Sequence, residues 1–286
     1  MTSAGSGEFQ WRLARVRQAM AEANLEGLLC YAAGWRAENV RYLTGTGLRG
    51  SFTLVYLPAV GEATAFVSHA QDQQAILAQG WIRDVRPLGL PQCGALAERL
   101  SEGGAPGRLG VAHLELLPTL LAEAVARALP KGELTSATRL MDRVRMVKSE
   151  WELEQMRRAG QVAMAGWQAF VSAVRPGARE YEIVAAVEAE IKGRGATDNF
   201  MLIASGKEEV MGMTPPGDRV LEPGDMVRTE LTPQLNGYYA QICRTVVVGP
   251  ANEGQRRSHE LFREALEAGL AAVHAGVTAA EIARAE

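Results

Sequence analysis

Residues 224–249 read GDMVRTELTPQLNGYYAQICRTVVVG, two apolar-rich runs joined at Asn236-Gly237. Asn-Gly tolerates positive φ at both central turn positions, so the segment is expected to fold as a hairpin with a two-residue turn. That turn fixes the register. Leu235 faces Tyr238, Thr232 faces Gln241, and Glu230 faces Cys243. Side chains alternate along a strand, so Glu230, Thr232, Gln241 and Cys243 share one face. Glu230 and Gln241 become diagonal neighbours, about 7–8 Å apart between backbones. Tyr238 and Tyr239 point to opposite faces, which sends one of them into a core.

The rest of the chain frames this hairpin. Phe9, Leu13, Val16, Met20 and Ala23 recur at helical spacing. GLLCYA (27–32) reads as a buried strand, YLTGTG (42–47) as turn, and SFTLVYL (51–57) with ATAFVSH (63–69) as a hairpin. A helix near 71–79, strands near 82–87 and 108–114, and a helix over 116–129 with Pro118 in its first turn follow. Such alternation implies an α/β domain. From Arg139 the chain mixes both charge signs, and Ser149 with Glu152 forms an S-x-x-E capping box for a long helix. The chain is therefore expected to divide into residues 1–140 and 141–286. The second part holds further helices over 179–195 and about 254–274, the strand DNFMLIASG (198–206) and the hairpin, so the whole is α/β followed by α+β. SAVRPGAREYEIVAA (172–186) and AAVHAGVTAAEIARA (271–285) match at an offset of 99. Each reads as a helix end, a glycine turn and a new helix, the second capped by Thr278 and Glu281. Two related halves are expected, with the chain stopping inside the second.

Formal net charge is −3, which argues against a nucleic-acid partner. Cys30, Cys93 and Cys243 are far apart and form no CxxC pair, so a reducing compartment, the cytoplasm, is expected. The N-terminus has no apolar signal core, and no run of about 18 apolar residues occurs, so no membrane span is expected. The histidines are His69, His113, His259 and His274, and none lies between residues 114 and 258. The commonest metal ligand and general base is thus missing from that stretch.

Four stretches carry a family resemblance: RMVKSEWELEQMRRAG (145–160), ASG (204–206), DRVLEPGDMV (218–227) and GYYAQICRT (237–245). They resemble the catalytic domain of the pita-bread superfamily, which includes creatinase, prolidase, Xaa-Pro aminopeptidase and methionine aminopeptidase. NVRYLTGTG (39–47) resembles the smaller α/β domain that precedes it in creatinase and Xaa-Pro peptidases. The resemblance implies a creatinase/prolidase-type N-terminal α/β domain, then a truncated pita-bread domain with antiparallel strands and long helices. It implies two pseudo-symmetric halves. It also implies a homodimer in which the small domain of one chain helps close the cleft of the other. In the metallopeptidases of this group, two hairpin aspartates, then a histidine and two glutamates, hold two metal ions.

The sequence departs from that pattern. The aspartate positions hold Glu230 and Gln241, which keep the spacing of 11 and lose one charge. Two divalent ions side by side need anionic bridging oxygens, and glutamine is neutral. Glu230 and Gln241 are therefore expected as degenerate ligand positions with no metal and no cofactor. Mn, Co or Zn enters only under a metallopeptidase alternative. Met213 stands where the family has a catalytic histidine after ASG. Creatinase resembles these peptidases in fold, lacks metals, and also reads GYY without the paired aspartates. Ectoine-ring hydrolases of the group also place a glutamate at the first position. The resemblance thus implies a creatinase-like or Xaa-Pro-peptidase-like hydrolase of a C–N bond in a small amide, amidine or dipeptide. Glu230 is the candidate general base, its pKa raised by burial between apolar strands. Gln241, Arg244, Tyr239 and Met213 are the candidate substrate contacts. Cys243 is expected as a small buried hydrophobe. Arg36 and Arg41 read either as anion contacts or as solvated arginines. A conventional Xaa-Pro metallopeptidase and a non-catalytic binding protein stay open as alternatives.

Overall fold

Leu28, Cys30 and Ala32 point to one side of strand β1 (Gly27–Ala32), Leu29 and Tyr31 point to the other, and both sides are buried. A strand apolar on both faces belongs inside a sheet covered on both sides. The computed structural model, which describes residues 5–32, 36–48, 52–89, 93–102, 104–207 and 214–286, places β1 there. Met213, Glu208 and Glu209 lie outside the described residues. β1 pairs antiparallel with β2 (Thr53–Pro58) and parallel with β5 (Arg108–Ala112). With β3 (Thr64–Val67), β4 (Asp84–Pro87) and β6 (Glu133–Ser136) they form a six-stranded sheet in the order β4-β3-β2-β1-β5-β6. On the Leu28 side lie α1 (Ser6–Glu22), α2 (Glu38–Thr44), α3 (Ala70–Gln79) and α6 (Thr138–Met146), through Val16, Leu43, Ile76 and Met141. On the Leu29 side lie α4 (Gly94–Ser101) and α5 (Thr119–Ala128), through Leu96, Leu100 and Val125. Each such side chain, fully buried, contributes roughly 1.5–3 kcal/mol.

Three elements escape the sequence pattern. The segment read as turn supplies the end of α2, because Val40, Tyr42 and Leu43 are buried and only Gly45 turns left-handed. α4 and β6 are too short for their periodicity to stand out.

By packing, the chain divides into two compact units. One runs to Arg158 and takes in Leu235–Tyr238; the other holds Ala159–Gln234 and Tyr239–Glu286. Inside the first, Arg12 of α1 is only 2% exposed. Its guanidinium lies 4.5, 5.4 and 5.3 Å from the ring centres of Tyr42, Trp81 and Trp151. It donates from Nε to Glu8 (2.6 Å), from Nη1 to the Tyr42 carbonyl (3.0 Å) and from Nη2 to the Tyr238 hydroxyl (3.0 Å). The Tyr238 hydroxyl donates to Glu152 (2.9 Å). Glu152 accepts from the Ser149 N–H (2.9 Å) and its own N–H donates to Ser149 Oγ (3.1 Å). This is the capping box read from the sequence, and it opens α7 (Glu150–Ala173). Ser149 Oγ donates to Glu8 (2.9 Å) and closes the ring of contacts. Burial works against the charge on Arg12, but Tyr238, Glu8 and Glu152 hold its pKa above the ordinary guanidinium value. Burial pushes the Tyr238 hydroxyl up as well.

The hairpin turn sits in the same unit. Asn236 and Gly237 have φ of 52° and 86°, the two left-handed positions expected of them. Asn236 Nδ2 donates to Gln155 Oε1 (2.8 Å). Arg41 packs on Gly237 so closely that a Cβ there would meet its Cδ.

In the second unit β7 (Asp198–Gly206), β8 (Met226–Leu235) and β10 (Ile242–Val247) form an antiparallel sheet in the order β10-β8-β7. The short β9 (Tyr238–Tyr239) also pairs with β8. Val227, Thr229 and Leu231 of β8 and Ile203 of β7 are fully buried on one face. There Leu231, with Val187 and Ile191 of α8 (Glu180–Gly193), surrounds Gly166 of α7. A Cβ at Gly166 would strike Ile191, so glycine permits the close helix approach. α9 (Glu253–Ala272) and α10 (Ala279–Ala285) follow. The local repeat recurs in the caps: Glu182 accepts from the Arg179 N–H (2.9 Å), and Glu281, 99 residues on, accepts from the Thr278 N–H (2.8 Å).

Replacing Arg12 by Met should leave Glu8 and Glu152 buried without their cation. A loss of about 3–5 kcal/mol is expected, read as a lower urea midpoint. An unchanged midpoint would show that the ring of contacts does not hold the first unit.

Candidate functional site

The face of β8 turned away from α7 and α8 carries Arg228, Glu230, Thr232 and Gln234. Glu230 pairs with Cys243 on one side and Leu202 on the other, and Thr232 pairs with Phe200. The Ala240 N–H donates to the Pro233 carbonyl (3.3 Å), which carries the same register to the turn. The expected hairpin geometry is therefore present. Gln241 Nε2 donates to Glu230 Oε1 across the strands, and this leaves the second carboxylate oxygen open to another partner. A hydrogen bond to an ionised acceptor is about twice as strong as a neutral one, so the contact orients Glu230 as well as satisfying it.

Several expectations change here. Glu230 is half-buried, because the fully buried face of β8 is the other one. Cys243 is exposed. Tyr239 shares the Glu230 face, is exposed, and its hydroxyl accepts from Gln234 Nε2. Arg244 pairs with Thr229 and so lies on the helix side, where its guanidinium is 5.6 Å from the Trp167 ring centre. The structure thus brings Gln241 to Glu230, sets Tyr239 on the same face, and removes Arg244 from it. Met213 lies outside the described residues. His113 is buried in the first unit beside Asn39 (3.0 Å) and Glu38 (3.0 Å), and His69, His259 and His274 are exposed. Phe200 and Leu202 join the Glu230 face, which the alternation of β7 would have shown had its register been assigned.

The motifs that carry the resemblance have a structural reason. Asp225, fully buried, accepts from Arg219 Nη1 (2.8 Å) and Nη2 (3.0 Å) and from the Glu222 N–H (2.8 Å). Arg219 also donates to Ser205 Oγ (2.9 Å), which donates to Glu180 (2.6 Å). Glu180 accepts in turn from the Gly217 N–H (2.9 Å). DRVLEPGD and ASG are thus two sides of one polar network.

Known proteins resemble this arrangement over nearly the whole chain. Residues 12–147 match the Creatinase/Prolidase N-terminal domain family, and residues 154–285 match Metallopeptidase family M24. The chain belongs to the pita-bread superfamily. The metallopeptidase family match and the dipeptidase relatives support a hydrolase. The probable dipeptidase PepE of Mycobacterium tuberculosis is 29% identical over 95% of this chain and 72% of its own length. The crystal structure of dipeptidase PepE from Mycobacterium ulcerans matches with a TM-score of 0.76 at 26% identity, over 99% of this chain and 76% of that one. An Xaa-Pro dipeptidase from Bacillus anthracis shares the fold with a TM-score of 0.82 at 24% identity, over 97% of this chain and 76% of that one. Among the described residues no helix is long and apolar enough to cross a membrane.

The family match corrects one expectation. A cofactor-free reaction is overturned, because the family covering residues 154–285 is one of metallopeptidases. The donor chemistry of this hairpin is narrow for that family. It offers one carboxylate, Glu230, and one neutral amide, Gln241, whose nitrogen is turned toward the carboxylate. Among the described residues no three His, Cys, Asp or Glu side chains come together as a metal-holding group. Two adjacent divalent ions need several anionic oxygens, so these residues by themselves do not fit a two-metal centre.

Acid should expose the Asp225 network. Burial disfavours the Asp225 charge, but Arg219 and the Glu222 N–H outweigh it and hold the carboxyl below its ordinary 3.8. A depressed pKa contributes stability in full above the unfolded-state value, and that stability is lost as pH falls through the folded-state pKa. Asp225→Asn should therefore cost roughly 2–3 kcal/mol near neutrality, with the gap to wild type narrowing below about pH 4. Urea midpoints at pH 7 and pH 3 check this, and an equal gap at both would contradict it.

Proposed function

We propose that this pita-bread protein hydrolyses the C–N bond of a small peptide, a dipeptide of the Xaa-Pro kind. The observation that carries the reading is the Glu230–Gln241 contact, on a half-open sheet face, within the stretch matched by a metallopeptidase family. The names of the PepE and Xaa-Pro dipeptidase relatives support the substrate class. Glu230 is the catalytic group. One oxygen is held by Gln241, and the other accepts a proton from the attacking water, as a general base does. Gln241, besides orienting Glu230, meets polar atoms of the peptide, and Tyr239 lines the same face. A homodimer, in the cytoplasm, is the proposed assembly, supported by the family resemblance. The proposed domain division stays near residue 140, shortly before the first family match ends at residue 147 and the long helix starts at Glu150.

The test is hydrolysis of a panel of X-Pro and other dipeptides, beside small guanidino compounds, with chelator and with added Mn, Co or Zn. Turnover of X-Pro dipeptides is expected in at least one of these conditions. Glu230→Gln should lower kcat/KM by about 10²–10⁴-fold with the circular dichroism unchanged. The reading fails if no dipeptide is cleaved under any of these conditions, or if Glu230→Gln retains full activity.

A further inference from the structure

His113 takes no part in the proposed hydrolysis, yet it is only 1% exposed and polar groups surround it. Its backbone is left-handed, with φ of 61°, where β5 runs into the 3₁₀ turn Leu114–Leu116. A histidine in that conformation is strained, and such strain persists where the surroundings over-determine it. The His113 N–H donates to Thr138 Oγ1 at the start of α6 (2.9 Å), which holds the backbone in place.

Charged and polar side chains reach the ring from three elements. Arg36, Glu38 and Asn39 come from the start of α2 and the residues before it. Glu115 of the 3₁₀ turn lies 3.5 Å from Nδ1. From α6, Arg145 stands behind Asn39, with Asp142 3.5 Å from its Nη1. Nε2 of His113 lies 3.0 Å from Asn39 Nδ2 and 3.0 Å from Glu38 Oε1. The Asn39 amide is oriented, because its Oδ1 accepts from Arg145 Nη1 (3.2 Å). Its nitrogen therefore faces the ring as a donor. One ring nitrogen cannot both accept from Asn39 and donate to Glu38. A neutral ring with its proton on Nδ1 serves Asn39 and points that proton toward Glu115. A ring protonated on both nitrogens serves Glu38 and has no lone pair left for Asn39. Glu38 is a standing acceptor. Burial works against its charge, but its own backbone N–H, Arg36, His113 and Arg145 hold the carboxyl below the ordinary 4.5. Arg36 Nε shares the same Glu38 oxygen (3.2 Å), and its Nη2 lies 3.2 and 3.3 Å from the two ring nitrogens. The two protonation states of the ring thus require two different sets of partners.

We propose that His113 is a pH-sensitive latch on α2, whose protonation exchanges the Asn39 contact for the Glu38 contact and loosens the first turn of that helix. The step is uptake of one proton from solvent at Nε2, and no covalent bond between heavy atoms changes. Histidine is the side chain that ordinarily changes charge between about pH 5 and 8. α2 matters to the first unit because its Tyr42 carbonyl accepts from Arg12 (3.0 Å) and its Arg41 packs on Gly237. The latch stands apart from the peptidase reading, and neither depends on the other.

The experiment is NMR of the full ¹⁵N-labelled chain from about pH 5 to 8.5, following the histidine rings and asparagine side chains. At the alkaline end His113 should be the tautomer with its proton on Nδ1. As His113 titrates, the Asn39 Nδ2 signals should move with the same midpoint. Exchange of the Asn39 amide protons with solvent should then speed up about tenfold, the loss of one hydrogen bond. His113→Gln, uncharged at every pH used, should show no such step at Asn39. A proton on Nε2 at the alkaline end, no titration of His113 in this range, or Asn39 signals that stay still while it titrates would each overturn the proposal. So would a step at Asn39 that persists in His113→Gln, because Glu38, Glu115 or Asp142 would then be its source. If His113→Gln does not fold, the wild-type titration decides alone.

Discussion

Arg12 is a full charge enclosed by three aromatic rings, and the cost of its desolvation is offset only because every direction of its guanidinium is met. Glu8, the Tyr42 carbonyl and the Tyr238 hydroxyl accept hydrogen bonds from it, and Glu152 accepts one from Tyr238. Tyr238 is the first residue after the Asn236-Gly237 turn, so the network fixes where the hairpin reverses. Once the reversal point is fixed, the pleat determines the rest. Glu230 must face Cys243, Gln241 must reach Glu230 diagonally, and Thr229 and Leu231 must turn to the helices. The Asn236-Gly237 turn sets the register that gives the candidate site its geometry, and the ring of contacts in the first unit holds Tyr238 beside that turn.

The candidate site is chemically spare. A carboxylate and an amide share one hydrogen bond on an open face, with an aromatic ring and a buried hydroxyl on the neighbouring strand position. The surrounding motifs, which carry the family resemblance, serve the fold: Asp225, Arg219, Ser205 and Glu180 satisfy one another around a buried charge. Shared motifs in this superfamily thus testify to a common scaffold, while the residues that differ, Glu230 and Gln241, are the ones placed where chemistry is proposed.

Much of this was legible in the sequence where a single local rule governed the outcome. Asn236-Gly237 dictated turn and register, GLLCYA announced a buried strand, and Ser149 with Glu152 announced the start of α7. The offset of 99 residues between two helix-cap motifs reappears as matching hydrogen bonds. What stayed hidden depends on partners remote in sequence. Arg12 lies on the apolar stripe of α1 beside Leu13, yet nothing local shows that Tyr42, Trp81, Trp151 and Tyr238 will gather around it. The exposure of Cys243 and the partial burial of Glu230 follow from which face of β8 the helices cover, a tertiary fact. The position of Arg244 was within reach, since alternation from Cys243 already puts it on the opposite face. The cofactor expectation failed for another reason: it was drawn from the charge lost at Glu230 and Gln241, whereas the family matched over the second half of the chain is metal-dependent by description.

The central claim is that Glu230 and Gln241 act as one unit in peptide hydrolysis. A double-mutant cycle measures this most directly, with kcat/KM for an X-Pro dipeptide determined for wild type, Glu230→Gln, Gln241→Leu and the double variant. If Gln241 works chiefly through Glu230, the double variant should lose far less than the product of the two single losses. Losses that simply multiply would contradict the account, because the two residues would then serve the reaction independently.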